Sequence, residues 1–275
     1  MPPIAAGSKS VPMSQDITPI VEMRGISKRY GGVQALAEAD LDIYTGEVHA
    51  LVGDNAAGKS TLIKTLSGAV IKDAGTVRFD GREVHIDSPR AAKAFGIETV
   101  YQDLALADNL DVAANVFLGR EMVGRGMLRP FLDIRRMEEE ARRLLARLKI
   151  NIPSIRQKVR SMSGGQRQSI AIARSVYFNA KVVILDEPTA ALGVEETRKV
   201  HELVQEMRSH GLAVLMISHN LNHVFENSDR ITVMKTGRVV GTRRVAETSR
   251  EEILRMIVTG TADGLVERTP KPAVA

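Results

Sequence analysis

Apolar positions in the first third of the chain fall into short runs, at residues 21–26, 39–43, 47–52 and 76–79, separated by Gly31-Gly32, Thr45-Gly46 and Asp80-Gly81. Runs of this length with this punctuation predict strands. A helical stretch over 58–69 interrupts them. Over 133–150 the period changes, because Ile134, Met137, Ala141, Leu144, Leu145 and Leu148 recur at three- to four-residue spacing. Glu138 with Arg142 and Glu139 with Arg143 form i,i+4 pairs on the other side, so this segment predicts an amphipathic helix in a helical subdomain. From residue 163 the pattern reads helix 165–178, strand 181–185, helix 195–210, strand 212–217, helix 221–227, strand 230–234. That alternation predicts a parallel sheet with covering helices. Residues 1–18 and 261–275 have no apolar period and are expected to be flexible tails on one domain at 19–260, with its helical subdomain at about 103–162.

The chain has 275 residues, 44% of them hydrophobic, which suffices for a large core and excludes a disordered protein. No run approaches the ~18 apolar residues of a membrane-spanning helix. With no Cys there is no disulfide, thiolate nucleophile or Cys-ligated zinc. That fits a reducing compartment, and the first residues lack a secretory apolar region, so a cytoplasmic location is expected. The net charge of +5 is unevenly spread: 120–174 holds 14 basic residues against five acidic ones. Such a segment suits nucleic acid, phosphates, anionic lipid or a solvated helix face. The absence of Trp and the few Tyr and Phe weigh against nucleic acid, for want of stacking platforms.

Gly53-Asp54-Asn55-Ala56-Ala57-Gly58-Lys59-Ser60 matches the phosphate-binding loop G-x-x-x-x-G-K-[ST], with an apolar strand before it and a helical stretch from Thr61 after it. Backbone N–H groups at a helix N-terminus cradle phosphate oxygens, Lys59 neutralises the β- and γ-phosphates, and Ser60 ligates magnesium. Val182-Val183-Ile184-Leu185 ends in Asp186 and Glu187. Two acids at a strand end also suit a helix cap, but beside this loop Asp186 is expected to hold magnesium and Glu187 to polarise an attacking water. His219 follows another strand end, where a γ-phosphate contact is expected. His223, one turn on, reads as structural.

Ser163-Gly164-Gly165-Gln166 opens a second helix and so makes a second candidate anion site. One chain cannot easily bring both sites to one triphosphate. A second protomer resolves this, its helix end closing over the nucleotide held by the first.

These four residues, with Met162 before them, resemble the LSGGQ signature of ATP-binding cassette (ABC) ATPases, and the resemblance covers about residues 20–260 in the family's motif order. It implies that Tyr30 stacks on adenine, that Gln102 in Val100-Tyr101-Gln102-Asp103 belongs to the Q-loop and joins Ser60 and Asp186 at magnesium, and that His219 is the switch histidine. Asp103-Leu104-Ala105-Leu106, Phe117-Leu118-Gly119-Arg120-Glu121 and 187–193 resemble the ATPase subunits of monosaccharide importers for ribose, xylose or fructose. The implied fold is α/β, a P-loop NTPase (RecA-like) core with an antiparallel β subdomain and an inserted helical subdomain. The implied activity is hydrolysis of ATP, with Mg2+, by a homodimer peripheral to the cytoplasmic face of the inner membrane. Its implied partners are membrane-spanning permease subunits and, indirectly, a sugar-binding protein, with no nucleic acid.

Two positions depart from the family pattern. Gly193 stands where the D-loop Asp is usual in the wider family, and Ala56 replaces a loop Gly, so a positive φ there would cost roughly 1–2 kcal/mol. Three rival readings are a soluble cassette ATPase of DNA repair or translation, a P-loop phosphotransferase, and a non-catalytic nucleotide-binding regulator. The first usually needs a second cassette or a coiled-coil insertion, the second leaves 163–166 unexplained, and Asp186 with Glu187 argues against the third.

Overall fold

A computed structural model describes residues 18–124, 131–177 and 179–262. Most of both expected tails, and Phe178 at the end of one expected helix, lie outside the described residues. Strands β1 (Val21–Tyr30), β2 (Val33–Ile43), β4 (Ala74–Phe79) and β5 (Arg82–Val84) form an antiparallel four-stranded sheet in the order β2-β1-β4-β5. The second sheet has six strands in the order β10-β9-β3-β8-β7-β6. In it β3 (Val48–Gly53), β6 (Ile97–Val100), β7 (Val182–Asp186), β8 (Ala213–Ile217) and β9 (Arg230–Lys235) run parallel, and β10 (Arg238–Arg244) pairs antiparallel to β9. β3, β7 and β8 are buried at nearly every position, as strands covered on both faces must be.

Helices α1 (Lys59–Leu66), α2 (Pro89–Ala94), α5 (Gly164–Tyr177), α6 (Val194–Ser209), α7 (Leu221–Asn227) and α8 (Arg250–Thr259) accompany the sheets. Between β6 and α5 come α3 (Val112–Val116) and α4 (Ile134–Arg147). In α4 the periodic residues Met137, Ala141, Leu144 and Leu145 are buried, whereas Ile134 is 59% exposed, because it sits at the helix's first turn, away from the packed stripe. Those residues join Phe117, Val159 and Ile172 in the core cluster that also holds Val183 and Val214 of the central strands. The inserted helices therefore share a core with the sheet, which couples them mechanically to the strand ends.

The sequence pattern leaves β5, β6, β10, α2, α3 and α8 unassigned. β5 and β6 have three and four residues, and α2 and α3 six and five, too few for a periodic signal. β1 and β2 run closer to the Gly31-Gly32 turn than expected, into positions exposed on both faces.

Part of the basic segment 120–174 is paired within the chain. Arg156 Nε donates to Glu138 Oε1 at 2.7 Å, Arg142 reaches the same carboxylate, Arg120 pairs with Glu98 at 2.9 Å, and Lys149 pairs with Glu206 at 2.7 Å. Arg174 donates to the Leu104 and Ala105 carbonyls.

Candidate active site

The 53–60 loop joins β3 to α1. Gly58 is the α1 N-cap at φ 102°, and neither a side-chain cap nor an acidic first-turn residue satisfies the helix's N-terminal donors. An anion is what such an end lacks. Gly53, at φ +148°, has no room for a side chain, since a Cβ there would fall 2.2 Å from the Met234 carbonyl oxygen. Asp54, Asn55 and Ala56 are exposed along the loop, Ala57 is buried against the core, and Thr61 is half-buried on α1. Ala56 adopts φ 65°, the left-handed conformation that the loop was expected to demand of it.

Lys59 is buried, and its Nζ donates to the carbonyls of Gly53 at 2.6 Å and Asp54 at 2.9 Å. Burial lowers its pKa, against the opposing pull of Glu187, Asp54 and Asp186. Conversely, burial and the neighbouring Glu187 push the Asp186 carboxyl up, with Lys64 and Lys59 working the other way. A site with two adjacent carboxylates, one of them resisting ionisation, suits a divalent cation, and the exposed Ser60 hydroxyl follows Lys59, which feels both carboxylates, as a neutral oxygen donor. The donor set therefore fits magnesium shared with substrate phosphates.

Glu187 follows β7 at φ 49°, its N–H donating to Ile217 O at 3.1 Å across the β7–β8 pair. His219, just past β8, places Nδ1 3.4 Å from Glu187 Oε1. Gln102 is exposed two residues beyond β6, the edge strand on the other side of β7. Parallel pairing of β3, β8, β7 and β6 thus collects the phosphate loop, His219, Asp186, Glu187 and Gln102 at the C-terminal edge of one sheet, where open α/β sheets bind ligands. Tyr30 belongs to the other sheet, at the exposed end of β1, with Lys28 Nζ 5.7 Å from its ring centroid.

Ser163 and Gln166 form a reciprocal cap on α5: Gln166 N–H donates to Ser163 Oγ at 3.3 Å, and Ser163 N–H donates to Gln166 Oε1 at 3.1 Å. Gly164 and Gly165 are closed in by the loop before α6 and by its first turn, since a Cβ at Gly164 would lie 3.0 Å from Leu192 Cδ2 and one at Gly165 2.9 Å from Glu196 Cβ. The sequence reading missed Glu196; its one trace there is an acid three residues after Gly193, the capping position of the next helix. A cleft of about 1570 Å³ is lined by Ser163, Gly165, Gln166, Glu187 and His219 but by no residue of the phosphate loop. The signature end of α5 and the loop of the same chain thus do not share this space.

The ABC transporter family model matches residues 36–190, more than half of the chain. The chain belongs to the ABC transporter family. As an ABC ATPase it binds and hydrolyses ATP. It is 50% identical over 224 residues to the fructose import ATP-binding protein of Rhizobium meliloti, covering 80% of this chain and 86% of that one. The xylose/arabinose import ATP-binding protein of Sulfolobus acidocaldarius is 46% identical over 240 residues, covering 87% and 94%. Among solved structures, an ATP-binding cassette of an ABC transporter in its ADP conformation superposes with a TM-score of 0.73 at 24% identity, over 88% of this chain and 95% of that one. A dimeric bacterial cassette bound to ADP and phosphate gives 0.68 at 24% identity, over 82% and 98%. These two structures establish the ABC ATPase fold. Among the described residues, no helix is long and apolar enough to cross a membrane.

Proposed function

We propose that this chain is the ATP-hydrolysing subunit of a monosaccharide importer. Two copies close on two ATP molecules beneath membrane-spanning permease subunits, at the cytoplasmic face of the inner membrane, with sugar delivered by a separate binding protein. The observation that carries this reading is the likeness to the fructose and xylose/arabinose import proteins over four-fifths or more of the chain, with both catalytic carboxylate positions filled.

In this reading the α1 N-terminus and Lys59 bind the β- and γ-phosphates, Lys59 exchanging its two carbonyl acceptors for phosphate oxygens. Tyr30 stacks on adenine, and Asp54, Asn55, Ala56, Ala57 and Thr61 complete the binding loop. Magnesium, held by Ser60, Asp186 and Gln102, supplies charge neutralisation to the phosphates when bound. Glu187 accepts a proton from the attacking water as its oxygen bonds to the γ-phosphorus and the bond to the β-bridging oxygen breaks. His219 orients this carboxylate and meets the γ-phosphate. Ser163 to Gln166 act on the nucleotide held by the partner copy. Coupling runs through 102–118, which leaves the sheet edge at Gln102 and enters the helical insert at α3.

The test is reconstitution in a bilayer with a candidate permease and a loaded sugar-binding protein. Hydrolysis rises and sugar accumulates, whereas sugar alone leaves the isolated subunit unchanged. Charge reversal at Asp103 or Asp108 probes coupling, with the loss of the Ala105 N–H bond to Asp103 Oδ1 at 3.3 Å and of the Asp108 contact with Arg167 at 3.5 Å as the accompanying local changes. Strong stimulation of the isolated protein by DNA, RNA or ribosomes, with no permease recovered, overturns the importer reading.

A further inference from the structure

Glu196 lies at the start of α6, and its side chain is turned back onto the N-terminus of α5. Its Oε2 accepts from the Gly193 N–H at 3.4 Å, and its Cβ and Cγ are the atoms that leave Gly165 no space for a side chain. The Ser163 hydroxyl and the Gly165 N–H also face this carboxylate, and with Gly193 they hold it below the usual carboxylate range, the Ser163 hydroxyl foremost. Glu196 is therefore ionised at neutral pH. Of the neighbouring cations, Arg198 pairs with Glu195 and Glu202, and Lys199 pairs with Glu195 at 3.5 Å while adding the smallest of the influences on Glu196. The chain's own anion thus packs against the glycines at the N-terminus of α5, the end whose hydroxyl and N–H groups make it attractive to a phosphate.

We infer that Glu196 is a positioning residue for ATP-driven closure, holding the signature's anion donors in the open subunit and yielding them to the partner's γ-phosphate when the dimer forms. This rests on the shared-site reading given above. Two like charges cannot occupy one set of donors, so closure requires Glu196 to release Ser163 and Gly165 and turn toward solvent, which α6's first turn permits because Glu195 and Val194 beside it are exposed. The contact delays closure until a full triphosphate, rather than a diphosphate, arrives to compete.

The experiment measures ATP-dependent dimerisation by sedimentation in a Glu187→Gln background, which slows turnover, with and without Glu196→Gln. The amide keeps the shape and an acceptor but removes the charge. The double variant should dimerise at an ATP-saturated Kd at least about threefold lower. This gain should shrink as salt rises from about 0.05 to about 0.5 M, because the repulsion it relieves is screened. Glu196→Ala, which removes acceptor and charge together, should show the same salt-dependent gain. A role in packing alone predicts weaker dimers at every salt concentration. Equal or weaker dimerisation by both Glu196 variants overturns the inference while leaving the shared site standing. If Glu187→Gln alone forms no dimer with ATP, the shared-site reading has failed and takes this inference with it.

Discussion

His219 Nδ1 lies 3.4 Å from Glu187 Oε1, although the two side chains come from the ends of different strands. The contact exists because β7 and β8 pair in parallel, with Asp186 opposite Ile217, so both chains leave the sheet at the same level. Glu187 is further fixed by its N–H bond to the Ile217 carbonyl. A carboxylate held on its backbone and touched by a histidine on its side chain is pre-organised, as the proposed role of Glu187 in taking a proton from a positioned water requires.

Binding and chemistry should separate by residue. Lys59→Ala should lose ATP binding and hydrolysis together, since it removes the buried cation of the loop. Glu187→Gln should bind ATP yet turn over at least ~100-fold more slowly, because an amide does not accept the proton. Equilibrium binding of a fluorescent ATP analogue beside phosphate release checks both. Near-normal phosphate release by Glu187→Gln would refute the base assignment.

Ala56→Gly should stabilise the protein. The φ of 65° at Ala56 places a Cβ in the left-handed region, so its strain is carried by the folded loop. Glycine at a left-handed position should raise stability by up to about 1 kcal/mol, seen as a higher thermal midpoint without ligand. A tenfold change in ATP affinity with no change in midpoint would mean that the loop rearranges on binding.

Complementation should reveal whether the site is shared between copies. A Gly165 substitution is a poor lesion, because its side chain would strike Glu196 of its own chain. Ser163→Ala is preferable, costing one helix cap, about 1 kcal/mol. Lys59→Ala mixed with Ser163→Ala gives heterodimers with one doubly damaged site and one intact site, and the mixture should hydrolyse ATP faster than either variant alone. No gain, with heterodimers demonstrated, argues against a shared site.

Acid should destabilise the fold through His49. This buried imidazole bonds Thr232 Oγ1 at 2.7 Å, and burial, helped by Arg230, pushes its pKa from 6.5 down to about 3. The neutral form is the folded form, so its contribution is complete above pH 6.5 and is lost as pH falls toward 3. The slope should approach about 1.4 kcal/mol per pH unit in that window. Urea unfolding at several pH values checks it, and His49→Gln should flatten the profile between those limits. An unchanged slope in that variant would assign the acid sensitivity to other groups.

The sequence by itself made the phosphate loop and the acidic pair legible as candidates and located them at strand ends, because both are contiguous in the chain and follow strands of unmistakable apolar character. It determined the parallel core as well, through the alternation after residue 163, and the buried face of α4 through its period. Tertiary structure alone decided what depends on packing between distant segments. The strand order put His219 beside Glu187, Glu138 and Glu98 paired with Arg156, Arg142 and Arg120 of the basic segment, and α6 laid Glu196 across the signature glycines. Local sequence carries period, turn chemistry and motif spacing. Which charge meets which donor is fixed only when the core closes and brings the ends of separate elements within hydrogen-bonding reach.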